Sequence, residues 1–245
     1  MRGEHDGDSM NQTVPSVCAL TLGVVVSVTT THAQHQHRGF AADSAGFYWW
    51  FDGGATIPED GHLTEFGASS SGQAVTYDVG AGLDLAAGYA FNNYVATELQ
   101  IGATWNSISS IEGAAVHDTY FSTAPILVNA VLRYPIPGTR FVPYAGAGAG
   151  GAATMFDTDG LSRPVPGGSV TLYGSETDFV FAWQWFAGVR VELDNRMFIG
   201  LGYRYLHADA STFSFGSCCY GEPEFDLGLS SHESHMALIT LGMRF

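Results

Sequence analysis

The sequence contains no lysine, so its nine basic residues are all arginine, against 24 aspartate and glutamate residues. The formal net charge of −15 opposes nucleic-acid binding, which depends on basic patches that meet phosphates. Without lysine the chain also has no lysine nucleophile or base and no phosphate-binding lysine of the P-loop type. These absences exclude nucleic acid as a partner and remove several classes of enzyme.

Long apolar runs are absent as well. No segment reaches the roughly 18 consecutive apolar residues that a membrane-spanning helix needs. The nearest, Val14 to Val28, is interrupted by polar residues, glycine and proline, and it resembles the apolar region of a secretory signal. Thr31-His32-Ala33 follows as a small-x-small cleavage pattern, although the flank before the apolar run is acidic. We therefore expect an exported protein whose chain starts at Met1 or Met10.

Charged residues are scarce overall. They make up only 13% of the chain, whereas aromatic residues contribute another 13% and glycine occurs 31 times. A soluble globular protein covers its surface with charged side chains, so this balance indicates a surface that is partly in contact with a non-aqueous phase. Since no helix of spanning length is predicted, contact with a membrane would have to come from β-strands.

Period-two alternation recurs along the chain between segments rich in glycine, proline, serine, aspartate and asparagine, which is typical of paired strands. Most of the alternating segments reach the roughly 9–11 residues that a tilted strand needs to cross a bilayer. They are Phe47 to Ile57, Ala74 to Phe91, Tyr94 to Asn106, Asp118 to Tyr134, Phe141 to Phe156, Phe179 to Leu193, Arg196 to Leu206 and His235 to Phe245.

The connections between these segments alternate in length. Asn92-Asn93, residues 135–140 and Asp194-Asn195 are short, whereas residues 58–73, 157–178 and 207–234 are long. In an up-and-down barrel the short turns would lie at one end with both termini, and the long loops at the other end, as in outer-membrane barrels. The long loops are rich in polar residues, so we expect them to be mobile and extracellular.

One face of most predicted strands is continuously apolar. Every second residue from Phe179 to Leu193 belongs to such a face, and so does every second residue from Val75 through Tyr77 to Tyr89. The opposite face is mainly glycine, alanine and threonine with sparse charges, which suits the narrow interior of an eight-stranded barrel rather than a surface in water. Aromatic residues near the strand ends would form interfacial girdles. The residues expected there are Phe47, Trp49, Tyr89, Tyr134, Trp183, Tyr203 and Tyr205.

The chain resembles the eight-stranded outer-membrane barrel family that includes the OmpA barrel and the opacity-type surface antigens. The resemblance rests on the run from Pro143 to Gly150, on Gly200 to Tyr205, and on the closing strand that ends in Phe245. It implies an all-β fold, an eight-stranded antiparallel up-and-down transmembrane β-barrel in the bacterial outer membrane. Residues 1–33 would be an N-terminal extension and signal peptide, 34–46 a periplasmic segment and 47–245 the barrel.

The resemblance also implies partners: outer-membrane lipid, and the outer-membrane assembly machinery, which would read Phe245 as part of an assembly signal. No cofactor or metal is implied, and any extracellular ligand of the loops is left open.

Ionisable residues on the predicted inward face are the candidate functional site. They are expected to pair in one narrow space, since an unpaired buried charge is costly and arginine forms bidentate contacts with carboxylates. This predicts a lumen plugged by an ion-pair network, with a charge-lined ion path as the alternative. The residues are Asp84, Glu98, Arg133, Arg190, Glu192 and Arg244.

Other polar motifs carry weaker hypotheses. Ser231 to His235 contains the residue types of a hydrolase, but residue types without geometry do not predict catalysis. His207, His232 and His235 could form a metal site at the rim, although solvated histidines are the commoner case. The adjacent Cys218 and Cys219 are loop thiols that are either free or joined in a labile bond that stiffens the loop.

We therefore interpret the chain as a non-enzymatic outer-membrane barrel with a structural or surface-interaction role. The alternatives, in decreasing order, are a small-solute or ion pore, a lipid-modifying enzyme and a soluble lipocalin-like binder.

Overall fold

The computed structural model describes residues 45–67, 69–70, 72–165, 168–194, 196–215 and 225–245. The predicted signal peptide, the predicted periplasmic segment up to residue 44, Cys218 and Cys219 therefore lie outside the described residues. No helix in the described part of the chain is long and apolar enough to cross a membrane. The strands are β1 (Gly46–Pro58), β2 (Gly61–Phe66), β3 (Ser69–Ser70), β4 (Ala74–Tyr77), β5 (Gly80–Ala90), β6 (Val95–Ile111), β7 (Ala115–Arg133), β8 (Phe141–Val165), β9 (Gly168–Glu192), β10 (Met197–Ala208), β11 (Ser211–Phe215), β12 (Phe225–Leu229) and β13 (His232–Arg244).

Eight of these strands form a closed antiparallel ring. β1 pairs with both β5 and β13, and the ring continues through β6, β7, β8, β9 and β10 back to β13. Closure satisfies the backbone hydrogen bonds of every strand and leaves no free edge in the bilayer. The predicted eight-stranded antiparallel barrel is confirmed, with each ring strand corresponding to one predicted segment.

The short turns are fixed by side chains that accept backbone hydrogen bonds. Asn92 Oδ1 accepts from the amides of Tyr94 and Val95 at 2.7 and 2.9 Å. Asp194 Oδ1 accepts from the amides of Arg196 and Met197, and these two bonds hold the pKa of the Asp194 carboxyl below its ordinary value. Asn and Asp favour such turns because their short side chains mimic a backbone turn.

The outer face of the ring carries a band of exposed apolar side chains, while the alternate residues point inward. Along β13, for example, Ile239 is 68% exposed and its neighbour Leu238 is buried. Aromatic residues expected in girdles, including Phe47, Tyr134 and Tyr203, are exposed on this outer face. The larger exposed residues of the band are Leu83, Leu85, Leu99, Ile101, Ile126, Val128, Leu132, Phe181, Val189, Ile199, Leu201, Ile239 and Leu241.

The prediction that Val75 and Tyr77 continue the outer face of the second strand is wrong. The pairing of β4 with β6 shifts register between Thr76 and Tyr77, and the segment breaks into β4 and β5 at residues 78–79. A register irregularity reverses which alternate residues point inward. Val75 is therefore fully buried, and Tyr77 packs inside against the Phe121 ring.

The prediction that the long connections are loops is wrong for their described parts, because much of them forms paired strands. β2 pairs with β4 and β12, β12 pairs with β11, and β8 and β9 stay paired up to Val165 and Gly168. We call this wall at the long-loop end the extension; its strands are held by packing around an apolar core. The buried residues of that core are Leu63, Phe66, Val75, Ile108, Ile111, Phe121, Phe156, Leu161, Leu172, Phe213, Phe215, Leu227 and Leu229.

If this apolar core holds the extension together, Phe213→Ala should destabilise the extension by about 3–5 kcal/mol, because the side chain is fully buried. Limited proteolysis of the reconstituted barrel should then cleave the extension faster. Tyr173→Ala is the matched control, since Tyr173 is an aromatic residue of the same region that is 64% exposed. Equal cleavage rates for both variants would contradict a packed extension.

Candidate functional site

The centre of the lumen is occupied by one arginine shared between two carboxylates. Arg204 on β10 reaches Asp84 on β5 at 2.5 Å and Asp52 on β1 at 3.1 Å. All three side chains are at most 5% exposed. Because guanidinium is always charged and offers several donors in a fixed plane, it can serve two carboxylates at once. The three residues therefore tie three ring strands together across the lumen.

A layer of amide side chains continues from this ion cluster. Gln100 donates to Asp84 at 2.7 Å and accepts from Asn129 at 2.8 Å, while Gln184 donates to both Gln100 and Asn129 at 2.7 Å. These residues come from β6, β7 and β9. Together with Arg204 and its carboxylates they form what we call the central layer, a hydrogen-bonded partition built from six of the eight ring strands.

Glycines in the wall make room for the central layer. A Cβ added at Gly102 would lie 2.1 Å from Asp84 Oδ1, and one added at Gly148 would lie 1.8 Å from Asn129 Oδ1. Both distances are far inside van der Waals contact, so a larger residue would displace the polar side chain. The small residues on the inward face are thus required by the polar groups that cross the lumen.

A second charged cluster lies toward the short-turn end. Glu192 contacts Arg190 at 3.1 Å and also pairs with Arg244. Glu98 accepts a hydrogen bond from the Tyr48 hydroxyl at 2.6 Å. Arg133 donates to the backbone carbonyl of Asn92 at 2.5 Å, and its guanidinium lies over the Tyr48 ring.

The structure therefore divides the six predicted lumen residues. It brings Arg190, Glu192 and Arg244 together, whereas Glu98 and Arg133 are linked through Tyr48. Asp84 belongs to the central layer and pairs with Arg204, which was not among the candidate residues predicted from the sequence. Asp52 was missed, although it shares the inward alternation of Tyr48 and Trp50 on β1.

Little space remains between these clusters. A cavity of about 40 Å³ lies against the central layer, and since a water molecule needs roughly 10–15 Å³, the cavity has room for a few of them. Its lining includes Asp52 and Glu98, whose Oδ1 and Oε2 atoms accept no hydrogen bond from the described protein groups. This polar cavity suits water that bridges the two charged clusters.

His232 begins β13 on the inward side, in the extension above the exposed apolar band. Its ring packs against Phe121 and Tyr77, with centroids 4.6 and 5.2 Å apart, and neither ring nitrogen has a hydrogen-bond partner among the described groups. Burial lowers the pKa of His232 to about 4, although Glu233 opposes this shift. The imidazole is therefore neutral at pH 7.

The strand geometry separates the residue types that suggested a hydrolase. His232 and Ser234 are buried inside, whereas Glu233 and His235 form contacts on the outer face with Tyr205 and Tyr203. Likewise His232 lies on the other side of the wall from His207 and His235. Among the described residues, no group of three or more His, Cys, Asp or Glu side chains is arranged to hold a metal ion.

Comparison with known proteins agrees with this architecture. The family model described as "Outer membrane protein beta-barrel domain" matches residues 18–245. The outer membrane protein OprG from Pseudomonas aeruginosa is similar in structure, with a TM-score of 0.55 and 16% identity over 84% of this chain and 98% of OprG. Neisserial surface protein A has 15% identity and a TM-score of 0.45 over 82% of this chain and 98% of its own. No curated protein matches the sequence.

Arg204→Met should be the most damaging single change in the lumen, because it leaves Asp52 and Asp84 buried without a cation. The expected loss in the free energy of unfolding is about 3–5 kcal/mol. Urea unfolding in lipid vesicles measures it, with the exposed Arg196→Met as the control. Adding Asp52→Asn and Asp84→Asn should recover most of the loss, since the charges are then removed together; no recovery would contradict the pairing.

The free energy of unfolding should depend on the protonation of His232. Because its pKa is about 4 in the fold and 6.5 ordinarily, the unfolded chain takes up the proton first as pH falls. Stability present above pH 6.5 is thus lost between about pH 6.5 and 4, by about 3 kcal/mol in total. Urea unfolding at pH 7.5 and 4.5 should show a smaller pH dependence for His232→Phe. The exposed His117→Phe should behave as wild type; an unchanged dependence in His232→Phe would contradict the burial.

Proposed function

Because this chain belongs to the outer membrane β-barrel family and is a protein of the bacterial outer membrane, we propose that it is a closed barrel with a surface-interaction role. In this proposal the lumen conducts nothing, and the extension is displayed at the cell surface as a rigid scaffold. The long-loop end faces outside, and the short turns face the periplasm.

The observation that carries the proposal is the filling of the lumen at three successive heights. The cluster around Glu192 occupies the short-turn end, the central layer crosses the middle, and the apolar core fills the extension. Eight strands enclose only enough space for side chains. The eight charged side chains of the lumen, four carboxylates and four arginines, have no formal net charge together, which favours a closed lumen over a charge-lined ion path. They are Asp52, Asp84, Glu98, Glu192, Arg133, Arg190, Arg204 and Arg244.

The outer surface of the extension indicates the kind of partner that it fits. Its exposed acidic residues include Asp118, Asp157 and Asp159, and Arg163 is the one arginine in the described part of the extension. Such a surface attracts cationic partners and repels polyanions. A basic protein surface therefore fits the extension, whereas nucleic acid and sulfated glycans do not.

Two measurements test this proposal. In planar bilayers the purified barrel should give no steady unitary conductance, and on intact cells tags at Ser70, Gly167 or Gly221 should be labelled while tags at Asn93 or Asn195 should not. Stepwise currents in the wild type, with an ion selectivity that changes in Arg190→Ala, would contradict the closed barrel and support the pore alternative. Surface labelling at Asn195 in cells with intact outer membranes would reverse the orientation.

Recognition by the assembly machinery gives a separate prediction for Phe245. This residue is 80% exposed, and its amide donates to the Phe47 carbonyl at 3.0 Å. Deleting it removes little folded-state packing, so unassisted refolding into vesicles should be unchanged, whereas the amount of folded barrel in cells should fall severalfold. The shift in electrophoretic mobility on heating measures the folded fraction in both the vesicle and the cell experiment. Equal cellular yields would contradict an assembly signal at Phe245.

A further inference from the structure

We propose that a patch of six rings on the outer face of β9, β10 and β13 binds the saccharide headgroup of a membrane glycolipid. This inference rests on the membrane location of the barrel and not on the closed lumen. We call this surface the ring patch; its members are Trp183, Trp185, Tyr203, Tyr205, His207 and His235.

The six rings form one continuous surface across three neighbouring strands. Trp183 stacks on His207 with centroids 5.3 Å apart, and Trp185 stacks on Tyr205 at 6.0 Å. His235 on the third strand contacts Tyr205 at 5.4 Å. The cross-strand register of β9, β10 and β13 produces this contact, because Tyr205 pairs with Trp185 on one side and with His235 on the other. An apolar platform several rings wide results.

Carboxylates hold the polar edges of the ring patch in place. His235 contacts the Tyr203 hydroxyl at 2.5 Å through Nδ1 and Glu59 at 2.8 Å through Nε2. The Tyr205 hydroxyl donates to Glu233 at 2.6 Å. His207 lies 3.4 Å from Glu233 and 3.3 Å from Asp209. Side chains fixed in this way lose little conformational freedom when a ligand binds.

The ring patch lies at the level where acyl chains give way to headgroups. Outward-facing residues along β10 and just beyond it run from Leu201 through Tyr203 and His207 to Asp209, so the surface changes from aliphatic to aromatic to charged. Along β13 the same change leads from Ile239 to Glu233. Aromatic residues settle at such an interface because one part of the ring is apolar and another is polar. A ligand with tails in the bilayer would place its headgroup on the rings.

The chemistry of the ring patch favours a sugar over a phosphate. The described residues that form its polar contacts are three carboxylates, which accept hydrogen bonds and repel anions. Glu59 and Asp209 have side chains that are 54% exposed, so their oxygens can accept bonds from hydroxyl groups. The partially positive C–H groups of a pyranose ring can pack on the electron-rich faces of aromatic rings. A neutral saccharide headgroup meets both requirements.

Trp105 provides a contrast within the same apolar band. It is 46% exposed on the outer face of β6, where its cross-strand neighbours are Ala81 and Ser122. Neither neighbour supplies a ring or a carboxylate. Trp105 therefore represents an ordinary interfacial tryptophan and is the matched control for the ring patch.

The test is a lipid titration of the folded barrel in a detergent without a sugar headgroup, read by native mass spectrometry. The probes are digalactosyl diacylglycerol, phosphatidylglycerol with and without Ca²⁺, and phosphatidylcholine. The wild type should bind the galactolipid at least about tenfold more tightly than either phospholipid. Trp183→Leu and Glu233→Gln should each lose about tenfold of that preference, and Trp105→Leu should lose none. Heat-modified mobility confirms that each variant is folded.

Several outcomes would overturn the inference. Equal affinity for the three lipids would reduce the ring patch to an ordinary interfacial girdle. A preference for phosphatidylglycerol, with or without Ca²⁺, would assign it to phosphate instead. An equal loss in Trp105→Leu would place the galactolipid elsewhere on the belt. Because Glu233→Gln keeps the size of the side chain and the barrel wall intact, it tests the site even if Trp183→Leu fails to fold.

Discussion

The fold depends on how it buries charge inside a ring of eight strands. Arg204 lies between Asp52 and Asp84 with all three side chains almost inaccessible, and removing the arginine would leave both carboxylates without a cation in a region of low dielectric constant. Arginine suits this role because it stays protonated and its planar group reaches two acceptors. The small residues around the lumen follow from the same requirement, since Gly102 and Gly148 leave the space that the polar layer fills.

The ring and the extension distribute polar and apolar side chains in opposite ways, although they belong to one continuous wall. In the ring, the outer face is apolar and the polar groups are inside. In the extension the arrangement is reversed, because the outer face carries carboxylates such as Asp157 and the inside is packed with residues such as Phe156 and Phe213. The ring patch lies where the two arrangements meet. Both surfaces that we propose for binding other molecules, the ring patch and the acidic exterior of the extension, therefore lie on the outside of the barrel.

Alternation in the sequence was sufficient to predict the ring, because each membrane strand has one lipid-facing side. It also predicted the inward set that includes Glu192 and Arg244, since period two assigns a face to every residue of an uninterrupted strand. It failed at Val75 and Tyr77, where a register shift reverses the alternation. It could not predict the extension, because β2 pairs with β12 across more than 150 residues and each strand is only five or six residues long.

Pairing partners were harder to predict than faces. Period two places Arg204 and Asp84 inside, but their contact depends on the stagger between β5 and β10, which lie on separate parts of the ring. The ring patch has the same origin: Trp185, Tyr205 and His235 are far apart in sequence and meet through the pairing of three strands. Adjacent residues of β13 show the converse, since His232 and Glu233 are neighbours in sequence and lie on opposite faces.

Hydrogen exchange of the arginine side chains tests the buried charge cluster most directly. In nitrogen-15 NMR spectra of the barrel in lipid nanodiscs, the guanidinium protons of Arg204 should exchange with water far more slowly than those of the exposed Arg196, because they are hydrogen-bonded and enclosed. Resonances of Asp52→Asn should identify the Arg204 protons by their change in shift. Exchange of Arg204 as fast as that of Arg196 would contradict the account, since it would mean that water passes freely through the centre of the lumen.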